Sequence, residues 1–474
     1  MKKIAYLDFI RDLLADESQF QAFKTYYQQK LPKSIKIISS RIKKSNLLPY
    51  LHDQNWEFKV PNFSFWPLCY DDVCYVEKED TKSLGSYFLH QWGFFYVQEV
   101  SAGLSAQVLP LEKWDKVLDL CAAPGGKTIQ LADQLLRLWW GYVVANEVLN
   151  ARRKALIFNL NRCGMLNTAV SAYDGTQIGD LAPEFFDKVL VDAPCSWEGM
   201  QYKHDKTVHI WDQKSANQLA KLQVQLLISG LKALKVWWTL VYSTCTLNPF
   251  ENEWVLSQVL STFWKSLELQ EVAIDQKSKG FTGFKDQLFL SLNDAEKVAR
   301  FRPHIQHTGG FFIAKIKKMA PLSCEKLQDK RTLKDSLLNA SSQLQEQVRD
   351  FLDKKWWIKK QTGFSFLASQ QAIYLTNFAY SDISKKLFIE KFWIPIFKIG
   401  YLWERIPQQG VATILGNYAE KNSVEITSDQ AQKLTENGIL KGIFWTQGDF
   451  LILTWRKQAF ALAKQWKSEI KVKI

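Results

Sequence analysis

Two stretches of this 474-residue chain set a cysteine just past an apolar run: Lys188-Val-Leu-Val-Asp192-Ala-Pro-Cys195 and Thr239-Leu-Val-Tyr-Ser-Thr-Cys245. A lone buried cysteine is usually a small core hydrophobe, and that reading stands for Cys69, Cys74, Cys163 and Cys324. Cys195 and Cys245 differ, because each follows a short apolar strand and leads into polar, turn-like sequence. Both are candidates to carry chemistry, and the chemistry a thiol offers is nucleophilic. A third stretch, Asp119-Leu-Cys-Ala-Ala-Pro-Gly-Gly-Lys127, runs from a strand through Pro-Gly-Gly into a helix. Gly125 and Gly126 have no side chain to block a ligand's approach to backbone N–H groups. Acidic residues then recur at strand ends: Glu147 after Tyr142-Val-Val-Ala-Asn, Asp174 after Thr168-Ala-Val-Ser-Ala-Tyr, and Asp192. In an open parallel sheet the carboxyl ends of the strands line one crevice. A Gly-rich turn of no functional meaning would not be followed by that series.

The elements that must position these residues alternate in type. Strand patterns fall at residues 117–120, 142–146, 169–173, 189–191 and 239–243, with helical patterns from Thr128 and at 151–162, 214–234 and 251–260. Such alternation implies an α/β fold with a doubly wound, mostly parallel sheet. Residues 1–85 read as a small α/β lead-in, with a helix over 7–29. Next comes a strand over 33–44, whose cationic face suits either a solvated edge or RNA backbone. Residues 86–318 hold the candidate site, and the aromatic run at 88–104 is expected to pack on it. A polar, helical connector occupies 319–365, with its helix over 326–355. Residues 366–474 form a basic, β-rich module with strands near Ala372 and Phe450.

Composition narrows the class. A chain of this length implies roughly two to four domains. Lys and Arg number 61 against 48 Asp and Glu, a net charge of +13, which suits an anionic partner such as nucleic acid. No apolar run approaches the roughly 20 residues of a membrane span, and no secretory leader opens the sequence, so a cytoplasmic protein is expected. The seven cysteines are mostly widely spaced and form no pair of CxxC motifs. They read as free thiols, neither a disulfide frame nor a metal site.

Together the motifs DLCAAPGGKT, ANE, DAPCSWEGM, LVYSTCTLNPFENE and RFRPHIQHTGGFFIAKIKK resemble the Sun (Nop/Sun) family of RNA cytosine-5 methyltransferases, over at least residues 30–318. Length and the tail, through FKIGYLWERI and the end of the chain, are similar to the bacterial RsmF-like group acting on 16S ribosomal RNA. The resemblance implies a Rossmann-like class I methyltransferase sheet, a PUA-like RNA-binding tail, S-adenosylmethionine as cofactor, and RNA, as 16S rRNA or the small ribosomal subunit, as partner of a monomer without metal. It implies that Cys121, Ala122, Ala123, Pro124, Gly125, Gly126 and Lys127 hold the methionine part of the cofactor. Glu147 would take the ribose hydroxyls and Asp174 the adenine. Asp192 would lie near the sulfonium and the target base. By resemblance Cys245 is the nucleophile that adds to carbon-6 of cytosine, Asp192 stabilises the adduct and Cys195 helps release the product. DNA cytosine-5 methyltransferases use the Pro-Cys cysteine instead, which makes Cys195 the competing nucleophile. A transfer-RNA enzyme of the same family, or a catalytically weak RNA-binding assembly factor, are the rival readings. Contact with RNA phosphate or an ordinary fold role is open for Lys203, Arg300, Arg302 and His304.

One count is abnormal: 19 Trp against 22 Gly, the latter about 4.6% where about 7% is usual. The family's Pro-Cys-Ser-Gly-Glu-Gly-Met reads here with Trp197 in the Gly position, and Trp237-Trp238 replace a Gly-Gly. Trp114, Trp139, Trp140 and Trp403 occupy similar turn slots, where φ > 0 is often required and Trp adopts it poorly. These tryptophans read as glycines of the native protein, as follows if its host decodes UGA as Gly; Trp211 reads as genuine.

Overall fold

The computed structural model describes all residues except 1, 28, 30, 60–71, 79–81, 139, 197–211, 326, 328–337, 359–363, 370, 378–382, 384–385, 393, 400–404, 443–448, 467–468 and 473–474. Cys69, Trp139, Trp197, Lys203, Trp211 and Trp403 therefore lie outside the described residues. Seven strands of one sheet carry the site: β1 Lys116–Asp119, β2 Tyr142–Asn146, β3 Thr168–Ser171, β4 Phe186–Asp192, β5 Leu234–Thr244, β6 Leu267–Gln270 and β7 Phe311–Lys318. They lie in the order β3-β2-β1-β4-β5-β7-β6. β1 to β5 are mutually parallel, while β7 runs antiparallel between β5 and β6. The chain winds outward in one direction from β1 and in the other from β4, so the crevice between their carboxyl ends is the switch point at which open α/β sheets bind ligands.

The helices that cover this sheet include α1 Gly126–Arg137, α2 Asn150–Cys163, α3 Gln213–Ala233 and α4 Glu253–Thr262. The strands are apolar on both faces, as a sheet covered on both sides requires. Successive residues serve opposite cores: Leu118, Val144, Val189, Val191 and Leu240 pack with Leu226, Leu227 and Leu231 of α3. Val117, Val143, Ala145, Leu190 and Val241 pack with Ile129, Leu131 and Leu135 of α1. The expected doubly wound α/β architecture is the one observed.

Three local expectations are corrected. The segment 7–29 forms two helices, Lys2–Leu14 and Glu17–Tyr27. The break falls at Ala15, with φ of 52°, and at Asp16, whose carboxylate accepts from Ser18 N at 2.8 Å and Gln19 N at 3.1 Å. The strand within 33–44 is only Lys33–Ile37, and it is interior, paired on one side with Val73–Lys78 and on the other with Phe95–Val97. Lys36 faces neither solvent nor RNA. It is 1% exposed, and its Nζ lies 3.0 Å from Asp133 on α1 and 3.4 Å from Asp72. Both carboxylates are remote in sequence, which is why a local alternation of charge and apolarity looked like an exposed face. Of the helix expected over 326–355, residues 326 and 328–337 lie outside the described residues, and within the described ones the connector helix is Ser342–Trp356. Ser341 starts it by accepting from Leu344 N at 3.2 Å.

The rest of the tail is β-rich, as expected, in two five-stranded sheets. The second, which includes Phe450–Trp455 and Gln458–Trp466, packs back on the N-terminal sheet, with Trp455, Phe460 and Ala463 sharing a core with Ile35, Leu47 and Trp56. Lys391–Phe392 adds a short antiparallel strand beside β3. Among the described residues no helix is long and apolar enough to cross a membrane.

Candidate active site

β1 ends at Asp119, and the chain turns through Cys121 to Gly125 before α1 begins. Gly125 has φ of 111°, in the left-handed region that a side chain would resist. A side chain at Gly126 would press within 3.1 Å of Tyr96 and 3.3 Å of Gln98. The loop is braced from outside by Ala122 N on Asn146 O at 2.9 Å, Arg152 Nη2 on Ala123 O at 2.7 Å and Asn159 Nδ2 on Pro124 O at 2.9 Å. No side chain caps α1, so its first N–H groups remain available to an anionic ligand.

Glu147 follows β2 and is 4% exposed. Its Oε1 accepts from Leu149 N at 2.8 Å, and Arg152 Nη1 lies 3.3 Å from Oε2. Beside it Val148 and Leu149 are 54% and 55% exposed, an apolar flank that a flat base can cover. Asp174 stands exposed beyond β3, with Oδ1 accepting from Thr176 N at 3.0 Å and Thr176 Oγ1 at 2.8 Å. A carboxylate for a diol, an apolar flank for an aromatic base and an uncapped helix start for a carboxylate together fit S-adenosylmethionine.

On the other side of the crevice Asp192, at the end of β4, accepts from Ser243 Oγ at 2.8 Å and pairs with Lys127 Nζ at 2.7 Å. Burial disfavours the Lys127 ammonium, but Asp192, with Cys245 and Asp119 adding, outweighs it and holds the lysine above its ordinary pKa. Asp119 is driven the other way: burial pushes its carboxyl up to about 7 against the hydrogen bond from Thr128. Burial, then Asp119, Asp192 and Glu147, push the Cys121 thiol far up, so Cys121 lines the loop as a neutral thiol. Cys195 and Cys245 meet, Sγ to Sγ, at 3.2 Å. Cys195 is the more buried of the two.

The structure thus brings the Gly-rich loop, Glu147, Asp174, Asp192, Cys195 and Cys245 to one end of one sheet. Sequence reasoning gave no role to Asn146 or Arg152. Asn146 Nδ2 donates to Leu120 O at 3.2 Å and Tyr173 O at 3.0 Å, while its Oδ1 accepts from Ser171 Oγ and Tyr173 N, each at 2.9 Å. One side chain therefore ties the ends of β1, β2 and β3. The signal was present, since a polar residue ending a buried apolar strand must find partners. Arg300 belongs to the fold rather than to RNA: it is 1% exposed and forks onto Glu253 of α4 at 2.5 Å. His304 packs edge-on to Phe23 at 5.7 Å and meets Gln19 at 3.0 Å. Arg302 lies over Phe281 at 5.1 Å. Cys74 and Cys163 are buried, and Cys324 partly so. Among the described residues no group of three or more His, Cys, Asp or Glu could hold a metal ion.

Residues 106–317 match the family model for 16S rRNA methyltransferase RsmB/F. Over 437 residues the chain is 31% identical to the ribosomal RNA small subunit methyltransferase F of Vibrio parahaemolyticus, covering 90% of this chain and 86% of that one. The protein of the same name from Erwinia tasmaniensis is 30% identical over 485 residues, covering 98% and 94%. Among solved structures, a methyltransferase homolog of Pyrococcus horikoshii superposes with a TM-score of 0.55 at 30% identity, over 64% of this chain and 91% of that one. NSun6 from Pyrococcus horikoshii, solved with SFG, shares the fold, with a TM-score of 0.56 at 21% identity over 66% and 97%.

Proposed function

The chain belongs to the 16S rRNA methyltransferase RsmB/F family, and from that premise we propose that it transfers a methyl group from S-adenosylmethionine to carbon-5 of a cytosine in small-subunit ribosomal RNA. The observation that carries the reading is the contact of two strand-end thiols, Cys195 and Cys245, 3.2 Å apart, in the crevice that the Lys127–Asp192 pair shares with the Gly-rich loop. Carbon-5 of cytosine is a weak nucleophile. A thiolate adding at carbon-6 forms a C–S bond and moves an electron pair toward carbon-5. Cys245 is assigned that attack, because it is the more open of the two thiols.

S-adenosylmethionine, when bound, supplies the methyl group as an electrophile. Cys121 to Lys127, with Glu147 and Asp174, would hold it. Asp192 would bond the edge of the base and stabilise the adduct. After the carbon-5 proton is lost, the C–S bond breaks and the Cys245 thiolate leaves, a release that Cys195 assists. The cytosine must be single-stranded or flipped to enter. In this division of labour residues 86–318 are the catalytic unit, 1–85 an RNA-binding lead-in, 319–365 a connector and 366–474 a PUA-like RNA-binding module, in a cytoplasmic monomer.

Labelled S-adenosylmethionine incubated with the protein and either small-subunit rRNA or tRNA tests the reading. Label in 5-methylcytosine of the rRNA is the expected result. Label confined to tRNA would reassign the substrate, and RNA binding with no transfer would support an assembly factor instead.

A further inference from the structure

The two cysteine loops share one buried carboxylate. Glu251, between β5 and α4, is fully buried and collects donors from both loops. From the first loop, Ser196 N donates to Oε2 at 3.0 Å and Ser196 Oγ donates to Oε1. From the second, Asn248 Nδ2 donates to Oε1 at 3.4 Å, while Asn248 N donates to Thr246 Oγ1 at 2.9 Å. Gln223 of α3 bridges the arrangement, donating to Glu251 Oε2 at 3.0 Å and to Pro194 O at 2.8 Å. The Glu251 main chain is fixed as well, because Tyr242 OH donates to its carbonyl at 2.7 Å.

Pro194 and Ser196 flank Cys195, and Thr246 and Asn248 follow Cys245. One side chain therefore reaches the backbone or near neighbours of both thiols. An ionised carboxylate offers about four lone-pair sites and no donor, which matches the four donors aimed at it. We infer that Glu251 is a positioning residue that sets the separation of Cys195 from Cys245; the inference rests on the reading above, in which the two thiols act in succession on one base. Burial raises its carboxyl pKa, and the bonds from Ser196, Gln223 and Asn248 oppose the rise.

Glutamine is nearly isosteric but carries one oxygen and one NH₂ group, so Glu251→Gln turns a donor toward donors. Ser196→Ala removes a single bond to the same carboxylate and leaves the rest. Both variants of the full-length protein are compared with wild type in three measurements: cross-linking of Cys195 to Cys245 by dibromobimane with peptide mapping, S-adenosylmethionine affinity, and single-turnover methyl transfer to small-subunit rRNA. Cross-linking and transfer are expected to slow in both variants. Transfer should fall roughly a hundredfold in Glu251→Gln, the scale of a misplaced reacting group, and less in Ser196→Ala. Cofactor affinity should hold within about twofold, because its proposed ligands follow the ends of β1, β2 and β3, away from Glu251.

Wild-type rates of cross-linking and transfer in both variants would overturn the inference. So would a Glu251→Gln protein that loses cofactor affinity along with transfer while Ser196→Ala matches wild type in every measurement, since that is the signature of general destabilisation. The cross-linking arm decides the inference even if the wild-type protein transfers no methyl group, a result that would contradict only the functional reading.

Discussion

Lys127 closes the Gly-rich loop, yet its ammonium points across the crevice to Asp192, 2.7 Å away. A residue of the Gly-rich loop thereby reaches the carboxylate that ends β4, a link that no local motif displays. The strand-end positions of Glu147, Asp192, Cys195 and Cys245 were legible because an apolar run of strand length says where a strand stops. The partners of Asp192 and of the Cys195 loop were not legible, because Ser243 lies 51 residues from Asp192 and Glu251 lies 55 from Ser196. His304 shows the same limit: its partners Gln19 and Phe23 lie in the N-terminal helices, and the sequence left its role open between RNA and fold. Burial, with Arg302 and His307 beside it, lowers the His304 pKa from 6.5 to about 4, and burial beside Arg162 does the same for His90. Both rings are neutral in the folded chain across that window, whereas the unfolded chain takes up protons from about pH 6.5 downward. Proton uptake by the unfolded state lowers stability as pH falls. Urea midpoints should therefore drop between pH 7 and pH 5, and drop less in His304→Gln; equal slopes would contradict the assignment.

Strands and helices of residues 86–318 were readable because apolar runs of strand length alternate with the 3.6-residue period. Their mutual anchoring was not. Arg300, on the short strand Ala299–Phe301 beside β7, forks onto Glu253 at the start of α4 and donates to Leu247 O at 2.9 Å, just past Cys245. Removing one partner of a buried pair leaves the other uncompensated. Arg300→Met should destabilise by about 3–5 kcal/mol in denaturant unfolding, and adding Glu253→Met should recover most of that loss. A double variant as weak as the single one would refute the pairing. Two positions of positive φ make a second case. Trp114 has φ of 76° and Trp237 has φ of 73°, and they are 60% and 62% exposed. Trp56 and Trp455, by contrast, are 1% and 2% exposed and pack against other rings. Backbone strain of this kind costs about 1–3 kcal/mol, so Trp114→Gly and Trp237→Gly should each stabilise the chain, and peptides of protein made in its own host should read Gly at both positions. Trp in those peptides, with no gain from either substitution, would contradict the glycine reading.

Across the whole molecule the change in character near residue 366 marked a β-rich tail, but nothing local said that the tail returns to the N-terminal sheet. That return rests on ring packing: Trp455 meets Tyr50 at 4.7 Å and Phe88 at 5.4 Å. Trp455→Ala should cost about 3–5 kcal/mol and speed amide exchange in Lys33–Ile37, the strand whose Ile35 and Ile37 share that core; unchanged exchange would mean that the two modules are energetically independent. Lys36, bonded to Asp133 of α1 at 3.0 Å, ties the N-terminal sheet to the sheet that carries the crevice. The most direct test of what happens there is denaturing electrophoresis of small-subunit rRNA after incubation with S-adenosylmethionine and wild type, Cys245→Ala or Cys195→Ala. Cys195→Ala should retain RNA in a covalent band, while Cys245→Ala should give neither band nor 5-methylcytosine. A covalent band with Cys245→Ala and none with Cys195→Ala would reverse the two roles and contradict the assigned chemistry.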